Sequence, residues 1–304
     1  MKTILLYYKY TDVQFPAQQV KQQKELCQNL GLKGRIIIAP EGINGTVAGA
    51  PQACHDYIQH MNAHPFFHGI DFKISQCEGE PFPRMRVVEK EEITRMGKNP
   101  QEISYRDTGT HLSPQQAHEL ISNNKNLVIL DARNNYEAAI GKFIGAVVPD
   151  VETFREFPDY IDKNQDIFKD KEVLMYCTGG IRCERASAYL KSKGVAKQVY
   201  QITGGIDRYA QAFPDGYFRG KNYVFDGRIA VPINNDVLGN CKLCDTSADD
   251  YYNCIYAACN KQLIICPDCV NKHNATCSKV CKQAILDNPA RMRKIPHKTA
   301  SCLL

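Results

Sequence analysis

Residues 171–190 read KEVLMY-CTGGIRC-ERASAYL, and this stretch decides the fold. KEVLMY is a nearly continuous apolar run of the kind that fills a parallel strand buried on both faces. ERASAYLKSKG reads as a helix closed by Gly194. Between them Cys177 stands directly after the strand, at the carboxyl end where open α/β sheets bind ligands. The following helix N-terminus brings partial positive charge and unpaired N–H groups. Both lower a thiol pKa. Gly179 and Gly180 let the loop curl so that the amides of Thr178 to Ile181 turn inward as an anion nest. Arg182 adds a fixed positive charge. The pattern predicts a site for a sulfur nucleophile and an anion. Cys183 is either a resolving thiol or core packing, and packing is the simpler reading. Cys27, Cys54 and Cys77 lack any such context and read as small buried hydrophobes.

The same alternation extends outward over residues 111–217. SPQQAHELISNN is a helix with Ser113 as N-cap and Pro114 at its first position. NLVILDAR and KQVYQIT are further strands, Tyr136 to Ala139 a short helix, and GIDRYAQAF a helix. Strands alternating with helices imply a parallel α/β sheet. Residues 1–77 have a different order. KTILLYYKY is a strand with Ile4, Leu6 and Tyr8 on one face. PAQQVKQQKELCQNLG is a helix with an apolar stripe of Val20, Leu26 and Leu30. GRIIIAPEG and NGTVAG are strands, PQACHDYIQHMNAH a helix and GIDFKISQCE a last strand. That β-α-β-β-α-β order is the ferredoxin-like pattern. Residues 78–110 read as a linker with one possible strand, MRVVEKEE. Residues 218–304 read as an aromatic, charged connector to about 240, then a cysteine-rich segment and a basic tail.

A length of 304 residues allows about two domains and a small appendage. Hydrophobic residues are 43% and charged residues 23%, ordinary for a globular chain. No apolar run approaches the ~18–20 residues of a membrane span. MKTILLYYKYTDVQ reads as a first strand rather than an export signal, because Lys9 and Asp12 interrupt its apolar stretch. The net charge of +5 permits a polyanionic partner without demanding one. Of the 14 cysteines, five precede residue 240, eight lie between Cys241 and Cys281, and the last is Cys302. A reducing, cytoplasmic setting is expected, so structural disulfides are not. The spacing Cys241-x2-Cys244, Cys254-x4-Cys259, Cys266-x2-Cys269, Cys277-x3-Cys281 instead predicts two structural zinc sites of four thiolates each. A cross-braced pairing, first pair with third, is favoured by the shared C-x2-C spacing. His273 is a spare ligand. An iron–sulfur cluster and disulfides are the rival readings.

The loop CTGGIR resembles the active-site loop of rhodanese-like domains, with Cys177 as sulfur carrier. DARNNYEAAIGKFIGAVVPD resembles the segment D-x-R-x-x-x-E followed by G-H-I-x-G-A, matched by Asp131, Arg133, Glu137, Gly141, Gly145 and Ala146. Lys142 and Phe143 replace its His-Ile, and Tyr209 stands where the closing segment usually has Trp. The resemblance implies a six-residue loop, Cys177 to Arg182, sized for a persulfide. A Cys-x5-Arg phosphatase is disfavoured because Cys183 occupies its arginine position. Together with APEGINGTVAG and FPRMRVVEKEEI, the whole chain resembles the tRNA uridine hydroxylase family. That implies oxygen-dependent conversion of uridine to 5-hydroxyuridine at position 34 of the tRNA anticodon, with molecular oxygen as co-substrate and Cys177 as the residue tied to activity. The residues themselves read as a sulfur or anion site, without a flavin or nicotinamide fingerprint or a 2-His-1-carboxylate spacing. A thiolate or persulfide at Cys177 adding to C6 of uracil is one route to an electron-rich C5. The rivals are a sulfurtransferase carrying a persulfide on Cys177 and a non-catalytic RNA- or protein-binding adaptor. Candidate RNA contacts are Arg35, Arg84, Arg86, Arg208 and the RMRK run from Arg291 to Lys294, with Tyr7, Tyr8 and Tyr10 as stacking candidates.

Overall fold

A computed structural model describes residues 1–259 and 261–293, so Lys294 of the basic run and Cys302 lie outside the described residues. The N-terminal part is a five-stranded sheet with two helices on one face. Its elements are β1 (Lys2–Tyr10), α1 (Pro16–Asn29), β2 (Lys33–Ala39), β3 (Gly42–Gly49), α2 (Pro51–Ala63), β4 (Lys73–Cys77) and β5 (Met85–Glu89). Each helix begins on a proline, which suits the first turn because its missing N–H has no intrahelical partner there. The order is β4-β1-β3-β2-β5. The first four strands are antiparallel neighbours in the ferredoxin-like order. The stretch 78–110, read as a linker, supplies β5, which pairs parallel with β2.

Period-two alternation splits β1 between two environments. Leu5 and Tyr7 pack into the helix-covered core with Ile36, Ile38, Val47, Tyr57 and Phe67. Leu6 and Tyr8 face the other way. The stripe expected on α1, Val20, Leu26 and Leu30, packs partly buried against the helix-covered core, and Gln19, Gln23 and Cys27 are buried more deeply beside it. Gln23 is tolerated there because Tyr57 donates its hydroxyl to Gln23 Oε1 at 2.8 Å.

The second part contains β6 (Thr110–Leu112), α3 (Pro114–Asn123), β7 (Val128–Asp131), α4 (Asn135–Ala138), β8 (Gly141–Phe143), α5 (Phe157–Lys163), α6 (Gln165–Phe168), β9 (Glu172–Tyr176), α7 (Ile181–Ser192), β10 (Gln198–Ile202) and α8 (Gly205–Ala212). Strands β6-β10-β9-β7 form a wholly parallel sheet. Ser113 caps α3 through a capping box with Gln116. Residues 218–240 are more than a connector. They carry β11 (Phe218–Tyr223) and β12 (Ala230–Pro232), and β11 pairs antiparallel with β8 and β12. The tail follows with β13 (Tyr251–Asn253), β14 (Gln262–Ile264), α9 (Pro267–His273) and α10 (Lys279–Asp287). Among the described residues no helix is long and apolar enough to cross a membrane.

The open face of the N-terminal sheet lies over the start of α7. Tyr8 donates its hydroxyl to Glu184 Oε1 at 3.0 Å, and Tyr10 donates to the Ile181 carbonyl at 3.4 Å. Arg185, fully buried, is clasped by Glu92 and donates to the carbonyls of Lys98 (2.6 Å) and Ile103 (3.1 Å). A buried charge must be paired this completely, so these bonds join the chain leaving β5 to α7, the helix that follows Cys177.

Candidate active site

The loop between β9 and α7 is Cys177–Gly180, shorter than the six residues expected, because α7 starts at Ile181 and takes Arg182 and Cys183 into its first turn. Gly180 is the N-cap at φ 100°, a left-handed conformation that favours glycine. No side-chain oxygen caps this helix. The Cys177 sulfur takes that place, accepting the Gly180 N–H at 3.2 Å. Cys177 is fully buried. Burial raises its pKa, but the Cys183 S–H, the Arg182 charge and the Arg182 and Cys183 backbone N–H groups outweigh it and bring the thiol down to about 6. The Cys183 thiol is held well above its usual range by burial and by the adjoining Cys177 sulfur. Cys183 is thus core packing whose proton also steadies the thiolate.

Arg182 does not reach freely into the loop. Its guanidinium forks onto Glu137, Nη1 to Oε1 at 2.6 Å and Nη2 to Oε2 at 2.8 Å, with both groups buried. Asp131, Arg133 and Tyr176 form a second buried network: Arg133 Nη2 and the Tyr176 hydroxyl each donate to Asp131 Oδ2 at 2.7 Å. Removing one partner of a buried pair leaves an uncompensated charge. Glu137→Ala should therefore lower folding stability by about 3–5 kcal/mol, checked by the midpoint of urea unfolding. An unchanged midpoint would mean that this pair is not coupled to folding.

Cys177, Thr178, Gly179, Ile181 and Arg182 line a cavity of about 310 Å³, within the ~300–1,000 Å³ of small-ligand sites. Its opposite wall is the open face of the N-terminal sheet. Register places Lys73, Leu6, Thr46, Arg35 and Arg86 side by side across β4, β1, β3, β2 and β5, and the first four of these line the cavity. That row runs from cation to cation. The third wall is the turn after β11, with Val224, Phe225, Asp226 and Arg228. Asp226 forks onto Arg228 at 2.8 Å and 2.6 Å, Arg228 Nη1 donates to Ser75 at 3.0 Å, and Gly227 N–H donates to the Pro81 carbonyl at 2.9 Å. This tied turn holds Phe225 61% exposed at the cavity, with the Arg182 guanidinium 5.8 Å from its ring centre.

Sequence reasoning missed Lys73, Asp207, Phe225 and Arg228 as cavity residues. The one signal for Lys73 was the two-sided apolar character of β1, which requires that its second face be covered. Of the RNA candidates, Arg35 joins the cavity, while Arg84 and Arg86 are exposed beside it. Arg208 pairs with Asp71 at 2.6 Å. Arg291 lies in the tail near the Tyr256 hydroxyl. Tyr7 is buried against Tyr57, Tyr10 stacks on Tyr105 at 4.9 Å, and Tyr8 lines the cavity.

The tail cysteines converge in two sets, Cys241, Cys244, Cys266, Cys269 and Cys254, Cys259, Cys277, Cys281, each with its sulfurs within 4.8 Å of one another. This is a cross-braced arrangement, first pair with third and second with fourth. His273 belongs to neither set. Tetrahedral zinc at ~2.3 Å from each sulfur spaces the sulfurs about 3.8 Å apart. Cys244 to Cys266 is 3.6 Å, Cys259 to Cys277 is 3.6 Å and Cys277 to Cys281 is 3.5 Å. Both sets therefore fit a tetrahedral thiophilic ion.

Three family models cover most of the chain: the UPF0176 acylphosphatase like domain over residues 2–93, the Rhodanese-like domain over 113–212 and the Rhodanase C-terminal over 219–282. A Chlamydia abortus protein named tRNA uridine(34) hydroxylase is 42% identical over 290 residues, covering 92% of this chain and 86% of that one. A Corynebacterium urealyticum protein of the same name is 41% identical over 286 residues, covering 91% and 96%. Among solved structures, a Rhodanese-like domain protein from Staphylococcus aureus is 21% identical over 33% of this chain and 90% of that chain, with a TM-score of 0.28.

Proposed function

The chain belongs to the tRNA uridine(34) hydroxylase family, and we propose that it converts uridine at the wobble position of the tRNA anticodon to 5-hydroxyuridine, in the cytoplasm, with Cys177 as nucleophile and molecular oxygen as co-substrate. The observation that carries this is a stabilised thiolate opening onto a cavity whose other walls present cations and an exposed aromatic. An anticodon loop can splay a base out of its stack to enter such a cavity. Phe225 offers that base a stacking face. Lys73 and Arg35 offer charge to the flanking phosphates.

In this reading the Cys177 sulfur adds to C6 of the uracil ring. The C5=C6 electron pair moves toward C5 and O4, and C5 becomes the electron-rich carbon that is hydroxylated. The amides of Thr178 to Ile181 and the charge of Arg182 stabilise the negative charge that develops. Arg182 acts by its field, since its fork is committed to Glu137. The eight tail cysteines hold two zinc ions in a structural role, because all four positions of each set are thiolates and none is open to substrate.

The rhodanese-like domain also suits a persulfide on Cys177, so sulfur transfer is the second reading. One experiment separates the two: mass spectrometry of tRNA nucleosides from cells lacking the gene. Loss of 5-hydroxyuridine and its derivatives, restored by the wild-type gene, is the expected result. Unchanged 5-hydroxyuridine with a fall in a 2-thiouridine would replace this reading by sulfur transfer. No change in any nucleoside would leave the adaptor reading.

A further inference from the structure

Asp207 is used by neither the fold nor the chemistry so far described. It lies in the first turn of α8, which packs directly beneath the nucleophile loop: Ile206 N–H donates to the Cys177 carbonyl at 3.0 Å and Asp207 N–H to the Thr178 carbonyl at 3.1 Å. Gly205, at φ 61°, allows this approach, since a Cβ there would run into the Cys177 carbonyl. The Asp207 side chain is buried at 5% exposure and lines the same cavity as Cys177. Its Oδ1 accepts the Asn222 amide at 2.7 Å. Its Oδ2 has no partner among the described residues and faces the loop, 3.6 Å from where a Cβ on Gly179 would stand. A buried polar atom without a partner costs about 1–3 kcal/mol, so an orphan aimed into a cavity points to a ligand group there.

The charged groups around it are Lys73 from β4, Arg228 and Asp226 from the turn after β11, and Cys177 from the loop. Burial is the largest influence and raises Asp207 to about 7, with Lys73 and Arg228 opposing and Cys177 and Asp226 adding. Cys177 moves the other way, to about 6. The ordinary order, carboxyl near ~4 and thiol near ~8.5, is inverted. Both shifts favour the same pair of forms, an ionised sulfur beside a protonated carboxyl, which suits one group to attack and the other to donate a proton.

We propose that Asp207 is the proton donor that works with Cys177: as Sγ bonds to C6 of the target uracil, Asp207 Oδ2 delivers its proton to C5. This rests on the reading of Cys177 as the nucleophile. The sulfur lone pair makes the S–C6 bond, the C5=C6 pair becomes the new C5–H bond, and Asp207 is left as carboxylate. The step is redox-neutral. In reverse, the carboxylate takes a proton from C5, the double bond re-forms and the thiolate departs with its electron pair. C5 carries two hydrogens in the adduct, so reversal that removes the original one leaves a solvent-derived hydrogen in its place. Protonation and hydroxylation draw on the same C5 electron pair: without oxygen the pair takes the Asp207 proton, and return of a C5 proton to the carboxylate restores the electron-rich carbon that is hydroxylated.

The test is exchange of uridine H5 in an anticodon stem-loop RNA, incubated with the enzyme in D2O without oxygen and read by nucleoside mass. Wild type should exchange. Asp207→Asn keeps the acceptor for Asn222 and should exchange about 10²-fold or more slowly, with iodoacetamide alkylation of Cys177 still within a few-fold of wild type. Exchange by wild type should rise with pH through about 6, as the thiolate forms, and fall through about 7, as Asp207 loses its proton. Wild-type exchange in Asp207→Asn would overturn the role of Asp207 and leave Cys177 as nucleophile. If Asp207→Asn does not fold, the wild-type profile decides, and a rate that stays flat above pH 7 overturns the proposal. Absence of exchange in wild type, or exchange by Cys177→Ala, would remove both readings.

Discussion

Cys177→Ala should abolish 5-hydroxyuridine formation, with a loss on the order of 10⁴-fold or more, the scale of removing a covalent nucleophile. Cys177 sits at the junction of every device in the loop: the Gly180 N–H, the Cys183 S–H, the Arg182 charge and the dipole of α7 all act on its sulfur. Alanine leaves those groups aimed at nothing. A Cys177→Ala protein that still makes 5-hydroxyuridine would end the nucleophile reading. The companion measurement is alkylation of Cys177 against pH. Half-maximal rate is expected near pH 6, well below the ~8.5 of an ordinary thiol. Cys183→Ala removes a donor to the thiolate and should move that midpoint upward. Stability has the same sign. The folded thiol titrates below its unfolded value, so its contribution is complete above the unfolded pKa and is lost as pH falls through about 6.

The strand–loop–helix setting of Cys177 was legible in the sequence because strand, glycines and helix are contiguous there. The rest of the cavity was not, for a physical reason. Lys73, Asp207 and Phe225 come from three segments far apart in the chain and meet only when the open sheet face docks on the loop. The pattern of KTILLYYKY predicts which residues share a face, and Leu6 and Tyr8 do, but a single strand cannot say what covers it. The start of α7 was misjudged for a local reason. Helix starts are recognised by Ser, Thr, Asp or Asn caps, and here a glycine caps while a sulfur accepts its N–H. The α1 stripe of Val20, Leu26 and Leu30 does pack on the core, but the deeper burial of Gln23 rests on a bond to Tyr57 that no periodicity encodes. β11 was hidden because its partner β8 lies some 75 residues earlier, between Gly141 and Phe143. The cross-brace was readable as a preference from matched C-x2-C spacings, since two knuckles of like geometry present like sulfur pairs.

The second large effect concerns the metal, and the two cysteine sets should behave differently. Zinc analysis of the purified protein should give two ions per chain. A chelator or a ligand substitution should be severely destabilising locally, because structural zinc supplies about 10–16 kcal/mol in small thiolate sites and the tail has little apolar core of its own. The first set does not stand alone. Cys241, Cys266 and Cys269 pack in one cluster with Ile140 and Tyr223. Tyr251, on the hairpin between the knuckles, donates to the Tyr136 carbonyl at 2.6 Å. Lys221 on β11 holds Asp249 and Asp250 at 2.8 Å and 2.7 Å. Tyr223 in turn accepts the Thr178 hydroxyl at 3.3 Å through its carbonyl, one residue from Cys177. A contiguous path of packing and hydrogen bonds therefore joins the first cysteine set to the Cys177 loop, through the strand that also carries the Phe225 turn. Cys266→Ser should release one zinc ion and lower both thermal stability and Cys177 alkylation at pH 7. Cys281→Ser should also release one ion, but its effect should stay in the tail, read as lost hydrogen-exchange protection over residues 254–259 and 277–287 with Cys177 reactivity unchanged. Equal loss of Cys177 reactivity in both variants would mean that the tail couples to the loop as one unit rather than through the first set alone.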